Sequence, residues 1–424
     1  MLKDRLPGCE RPRVPRHSIT DESGRPFAEP ARRQAKGGQA VDTDREQALA
    51  RWRTQVREAV GLGGQQVRDG YPLETVRRLL ALGVQRIPFS AALGGEGLGV
   101  RGLAAVLEDL AAEDGSLAAI VMGLYSANAF LAAEATPSQR QGALASLLAG
   151  DGLAAVAVTE PEAGTDVGSI RTTCRQLGDG RWRLEGRKAF ISNTGHPLWR
   201  FTIVLAQGPM ADRHTAFLVP HDAPGLTVAE SRATIGWSRV GVHDLELNGV
   251  IVRDSDRMGE PGEGLPLALA EFDRGRVAVA ALATGLCRGA WEVSLAHARQ
   301  RQSFGQPLIA HQAVADHLVT LWRLYTRARL VTELAADALD AARDFKPWAA
   351  LAKWEATDAA VAAARLAVQT LGARGLLQGS RGATLWADAK TLEIVEGTTE
   401  VQTMVLRRRL QQAGLPVVPS PEGA

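Results

Sequence analysis

The stretch IVEGTTEVQ, residues 394–402, sets one carboxylate, Glu396, at a break between two apolar segments. Leu392 to Val395 form an apolar turn before it. Val401, Met404 and Val405 follow at the i, i+3, i+4 spacing of a helix. A carboxylate on such a turn suits two tasks. It can remove a proton as a base, its own N–H not being committed to an intrahelical bond. Alternatively the turn is a cap, with Gly397 as N-cap and Glu400 three residues later.

A second stretch, AVTEPEAGTDVGSIRTT (157–173), ends a strand at Thr159-Glu160-Pro161 and continues as a Gly/Thr/Asp loop. Exposed hydroxyls and backbone N–H groups there suit an oxygen-rich ligand, and they equally suit a plain polar loop. A third, RQSFGQPLIAHQAV (301–314), offers Arg301 to an anion or to solvent.

The elements that must position these residues follow from composition and pattern. The chain has 424 residues, 45% of them hydrophobic, enough for a large core in two or three domains. Basic and acidic residues nearly balance, 49 to 47, so nothing points to nucleic acid or a membrane surface as partner. Cys9, Cys174 and Cys287 lie far apart without metal or CxxC spacing, which suggests a reducing compartment and no disulfide framework. The basic start lacks the apolar stretch of a secretory signal. No apolar run is expected to reach the roughly 18 residues of a membrane span. A cytoplasmic protein is the expectation.

Residues 1–43 read as a mostly disordered basic extension and 44–150 as a helical domain. From 151 to 260 short apolar runs separated by Gly, Pro, Asp and Asn read as strands of a β-domain. From 261 to 412 the segments 263–300, 308–343, 347–373 and 398–412 read as four long antiparallel helices. Residues 413–424 are a tail. The fold class is α+β: an N-terminal helical domain, a central β-barrel-like domain and a C-terminal four-helix bundle.

VTEPEAGTDVGSI, LEGRKAFISNTG (184–195), FDRGRVAVAALATGLCRGA (272–290), RQSFGQPLIAHQAV and IVEGTTEVQ occur in this order. Together they resemble the acyl-CoA dehydrogenase family over roughly residues 45–412. The resemblance implies an FAD flavoprotein with the flavin ring between the β-domain and the bundle. It implies that Val158 and Thr159 bond the pyrimidine side of the ring. Phe190 covers one flavin face and Ser192 approaches N5. Arg301 and Phe304 serve a neighbouring subunit's cofactor, so a homotetramer or homodimer is expected. Gln312, Gln369, Gly372 and Ala373 lie toward the adenosine half.

By the same resemblance Glu396 is the base that removes the substrate's α-proton, and Thr398 and Glu400 contact the flavin. Some members place the base just before the arginine of the FDxxR stretch. That position here is Gly275, which cannot serve. Arg276 and Thr165 match positions near the thioester substrate, and Arg276 equally suits an ion pair with Asp273 or Glu271. A separate acceptor takes the electrons.

Departures from the family pattern fall at Arg374, at Gly379-Ser380-Arg381-Gly382 where the family has Tyr-Pro, and at Ala387-Asp388-Ala389. They leave the acyl group open, and with it the choice between CoA and an acyl carrier protein, which the basic arm 1–43 could help to dock. Two alternatives stand beside dehydrogenation: a flavin-dependent monooxygenase of the same fold, and a non-catalytic scaffold for flavin or acyl groups.

Overall fold

The structure is a computed structural model that describes residues 38–61, 70–208 and 213–418. Gln47–Ala424 form one compact unit and Met1–Glu46 another. Of the second, the described part is the start of helix α1, Gly38–Gly61. The disorder expected for 1–43 falls largely outside the described residues.

The next helices are α2 (Leu73–Leu82), α3 (Gly99–Glu113) and α4 (Gly115–Glu134). Asp114 separates α3 from α4, and its carboxylate accepts from Ser116 N at 2.9 Å and Leu117 N at 3.2 Å. It caps α4 in this way and also pairs with Arg239. Thr136 and Gln139 make a reciprocal capping box at α5, Pro137–Gln139. A π turn, Arg140–Leu144, and α6, Ala145–Ala149, close the region at Gly150, whose φ of +92° is the left-handed stop a glycine permits.

Helix α4 departs from expectation. Its 20 residues have a mean hydropathy of 1.6, long and apolar enough by composition to cross a membrane. In this fold 83% of that window is buried inside the protein, so the apolar surface is satisfied by packing.

The β-domain holds β1 (Leu153–Ala157), β2 (Thr173–Gly178), β3 (Arg181–Ser192), β4 (Trp199–Gln207), β5 (His214–Pro220), β6 (Leu226–Ser231), β7 (Val242–Arg253) and β8 (Arg257–Met258). The order is β6-β7-β3-β2-β4-β5-β8, with β1 parallel to β4. Period-two alternation sorts β4 and β5 between two cores. Val204, Ala206, Phe217 and Val219 face the sheet's own core with Trp182 and Leu184. Ile203, Leu205, Ala216 and Leu218 join the helical core.

The C-terminal region holds α7 (Gly264–Gln300), the hairpin strands β9 (Gln302–Ser303) and β10 (Gln306–Pro307), α8 (Gln312–Asp340), α9 (Lys346–Leu371), α10 (Arg381–Ile394) and α11 (Thr399–Ala413). Helix α7 is buried throughout Gly275–Ala290 and packs on α3, α4, α8 and α9. At Gly285 the approach to α3 is so close that a Cβ would overlap the Glu108 carbonyl.

Helix α10 is a helix the sequence pattern had not marked. Its core stripe is Leu385, Asp388, Ala389 and Leu392, the spacing of one helix face. The polar Asp388 within that stripe disguises it. Asp388 is buried because it accepts the N–H of Trp237 at 2.7 Å, which pins the loop before β7 onto α10.

Candidate active site

Helix α10 ends at Ile394, and the chain turns before α11. Glu396 stands in that turn with φ +54°, and Gly397 follows at +89°. Left-handed backbone at a glutamate costs of order 1 kcal/mol and persists only where neighbours hold it. The holding bonds are present. Gln402, fully buried in the first turns of α11, donates its amide to Gly397 O at 2.8 Å and Glu396 O at 3.3 Å. Lys353 of α9 donates to Glu393 O at 3.0 Å. The N-cap of α11 is Thr398 rather than Gly397, with Glu400 in the first turn and Thr398 hydrogen-bonded to its side chain.

The Glu396 carboxylate is directed at α7. A Cβ built on Gly275 would lie 3.2 Å from Oε2 and 3.6 Å from Oε1. The missing side chain at 275 is thus the space the carboxylate occupies. Oε2 is buried with no hydrogen-bond partner among the described residues. Burial pushes the Glu396 carboxyl up to about 7, with the charges of Arg276 and then Lys353 opposing. A carboxyl in that range takes and returns protons near neutral pH.

Arg276 is buried and pairs with Asp273 at 2.5 Å, while Lys346 meets the other Asp273 oxygen at 3.0 Å. The ion-pair alternative for Arg276 is therefore realised, one turn from the carboxylate. Glu271, one turn earlier on the Gly275 face of α7, is also buried, with Oε1 unpartnered among the described residues. Burial lifts its carboxyl well above the usual range, Arg274 opposing and the Glu396 charge adding. Its other oxygen, Oε2, meets Arg274 at 3.4 Å.

The β-domain presents the second group. Val158 and Thr159 follow β1, and Thr159 O accepts Ala189 N at 2.9 Å, which draws the loop against β3. The β3–β7 register slips between Lys188 and Ile191. Phe190 sits in that bulge at φ +59° with its ring 55% exposed. Asp244, buried on β7, holds it there: Oδ1 accepts Phe190 N at 3.2 Å and Arg232 Nε at 3.0 Å. Arg232 lies over the ring, 4.9 Å from its centroid. Ser192 ends β3, half-buried, and Thr165 is exposed in the loop after β1. Asn193 then donates to Ile120 O at 2.9 Å, tying the end of β3 to α4.

The third group is remote. Arg301 follows α7, Phe304 tips the β9–β10 hairpin at φ +50° with 95% exposure, and Gln312 opens α8. Gln369, Gly372 and Ala373 are exposed at the end of α9. From Gly275 to Arg301 is about 40 Å along α7 at 1.5 Å per residue. One chain therefore does not bring this group to Glu396. His297 lies near both Arg301 and Arg374, whose charges add to burial in holding its imidazole below the ordinary range. Among the described residues neither arginine has a carboxylate within ion-pairing distance, so the cluster suits a phosphate-bearing ligand.

These surfaces fit FAD on their own chemistry: an exposed aromatic ring fixed at a bulge, a polar loop beside it, an orphaned buried carboxylate, and free cations where phosphates need them. Pattern reading passed over Lys353, Gln402 and Asp244. Only the fully buried Lys353 had a signal, a lysine amid the apolar face of an Ala-rich helix.

The chain matches three family descriptions in succession: acyl-CoA dehydrogenase, N-terminal domain, over residues 44–151; the middle domain over 155–250; and the C-terminal domain over 262–411. A probable acyl-CoA dehydrogenase of Bacillus subtilis (strain 168) is 32% identical over 349 residues, 80% of this chain and 90% of that protein. The mitochondrial short-chain specific acyl-CoA dehydrogenase of Bos taurus is 30% identical over 349 residues, 80% of this chain and 83% of that one. The solved structure of butyryl-CoA dehydrogenase from Megasphaera elsdenii superposes with a TM-score of 0.82 at 29% identity, covering 87% of this chain and 98% of that one.

Proposed function

This chain belongs to the acyl-CoA dehydrogenase family, oxidoreductases of CH–CH bonds, and we propose that Glu396 removes the α-proton of an acyl thioester as the α,β-unsaturated product forms. The thioester is carried by CoA or by an acyl carrier protein. The chemistry that bound FAD would supply there is acceptance of the β-hydrogen with its electron pair, for later passage to a separate acceptor.

The observation that carries this reading is the Glu396 carboxylate: half-buried, with Oε2 enclosed and unpartnered among the described residues, and set over Gly275. A thioester α-proton is too weakly acidic for a carboxylate in water. The base must be held in place, kept from solvent, and matched by donors to the enolate oxygen. The Glu396 N–H donates to no described residue and is available for that oxygen. The chain's residues divide the remaining work. Phe190, Val158, Thr159, Ser192, Thr398 and Glu400 hold the ring of the cofactor. Arg301, Phe304, Gln312, Gln369, Gly372 and Ala373 hold the nucleotide part for a neighbouring subunit. Arg276 and Thr165 border the thioester.

The test is anaerobic mixing of the flavin-loaded protein with butyryl-CoA and a panel of acyl-CoA and acyl-carrier thioesters. Loss of the oxidised flavin absorbance with wild type, absent with Glu396→Gln, supports the proposal. A flavin reduced only by an external reductant marks an oxygenase. A flavin reduced by neither marks a scaffold.

A further inference from the structure

The end of α10 is where the base is aimed, and one buried cation touches it. We propose that Lys353 is the positioning residue of Glu396: its ammonium closes the C-terminus of α10 and stands as counter-charge to the Glu396 carboxylate. This rests on the reading of Glu396 as base.

Three observations carry it. First, α10 stops two residues before Glu396, and the last carbonyls of a helix have no intrahelical donor. Lys353 Nζ supplies one, to Glu393 O at 3.0 Å, across 40 residues of sequence. Fixing that carbonyl fixes the exit direction of the chain into the left-handed Glu396. Gln402 grips the same turn from the other side through Glu396 O and Gly397 O.

Second, Lys353 is completely buried and, among the described residues, forms no ion pair within 4 Å. A lysine is almost never placed so without a charge to answer. The charges packed around it are few and mostly committed. On α7, Arg276 is held by Asp273, which also takes Lys346, and Glu271 pairs with Arg274. On α10, Glu393 pairs with Lys390. On α9, Asp358 accepts from Trp354 at 2.9 Å. On α11, the exposed Glu400 is hydrogen-bonded by Thr398. Glu396 is left as the anion whose Oε2 is buried with no hydrogen-bond partner among the described residues.

Third, a helix C-terminus carries partial negative charge. The turn that presents Glu396 is therefore a poor place to ionise a carboxylate. A cation on that terminus removes the conflict. The two groups lean on each other accordingly. Burial brings the Lys353 ammonium down to about 8, with Glu396 the first charge to oppose it, and Lys353 in turn opposes the rise at Glu396. Lys353 thus acts on both where the base stands, with Gln402, and the pH at which it is charged, with Arg276.

The experiment follows the Glu396 carboxyl in flavin-loaded protein by infrared difference spectroscopy over pH 5–9 (an experimental range chosen at about two pH units either side of 7). The band is assigned by its loss in Glu396→Gln. Lys353→Gln keeps an amide donor for Glu393 O and removes the charge. Lys353→Arg keeps a charge. The carboxyl titration and the acid limb of kcat/KM for butyryl-CoA should both move up by about one to two pH units in Lys353→Gln. They should stay near the wild-type position in Lys353→Arg. Lower turnover in Lys353→Gln with an unmoved titration overturns the proposal and leaves a purely structural lysine. Should Lys353→Gln fail to fold, Lys353→Met with a wild-type circular dichroism spectrum carries the same measurement. Full activity in Glu396→Gln would instead overturn the base reading, a separate result.

Discussion

At the scale of the residue, Glu396 combines two costs that only a function would maintain: left-handed backbone and a buried, unpartnered carboxylate oxygen. Glu396→Gln should retain flavin and lose about 10²–10⁴-fold in turnover. It should also be the more stable protein at alkaline pH. The folded carboxyl sits near 7, raised from an ordinary 4.5. Its proton is favoured by folding, so that stability is complete below about 4.5 and is lost as pH rises through 7. At pH 8 the substitution should gain up to roughly 3 kcal/mol over wild type, and near pH 4 nothing; denaturant midpoints at the two pH values decide it. Glu396 was legible in the sequence because its motif is local. Lys353 and Asp244 were not, because their partners lie 40 and 54 positions away, and no pattern of spacing encodes such a pair.

At the scale of the element, the site depends on two irregularities in regular structure. The β3–β7 bulge turns Phe190 outward, and Asp244 supplies the bonds the slipped ladder leaves unmade. Asp244→Asn should loosen that corner. Loss of the charged acceptor for Arg232 costs on the order of 1–3 kcal/mol. The expected result is faster flavin release with the rest of the sheet intact, measured by flavin fluorescence on dilution and by thermal melting. The strands themselves were readable from their alternation and turns. The bulge was not, since one slipped residue leaves the apolar pattern around it unchanged. Helix α10 was hidden for a different reason: a carboxylate occupies a core position and is satisfied by a backbone N–H 151 residues distant.

At the scale of the whole molecule, the residues assigned to one cofactor separate into two groups about 40 Å apart along α7. A second copy that brings its Arg301 and Phe304 to this chain's Phe190 and Glu396 reconciles them. Arg301→Ala should then weaken flavin retention and oligomer stability together, read by ultrafiltration of bound flavin and by sedimentation velocity. Retention falling alone, with sedimentation unchanged, would separate the two roles. The order helices, sheet, helices was visible in the sequence because hydrophobic period changes at each border. Helix α4 was the exception, for its composition fits lipid as well as a protein core. That resemblance has a consequence for synthesis. Much of the cover of α4 comes from α7, which ends 166 residues after α4 does. At ribosomal speed the interval is about 10–30 s. Throughout it α4 has α3 and then β1 to pack on but lacks its α7 cover, so the newborn chain should need a chaperone's grip that the finished enzyme does not.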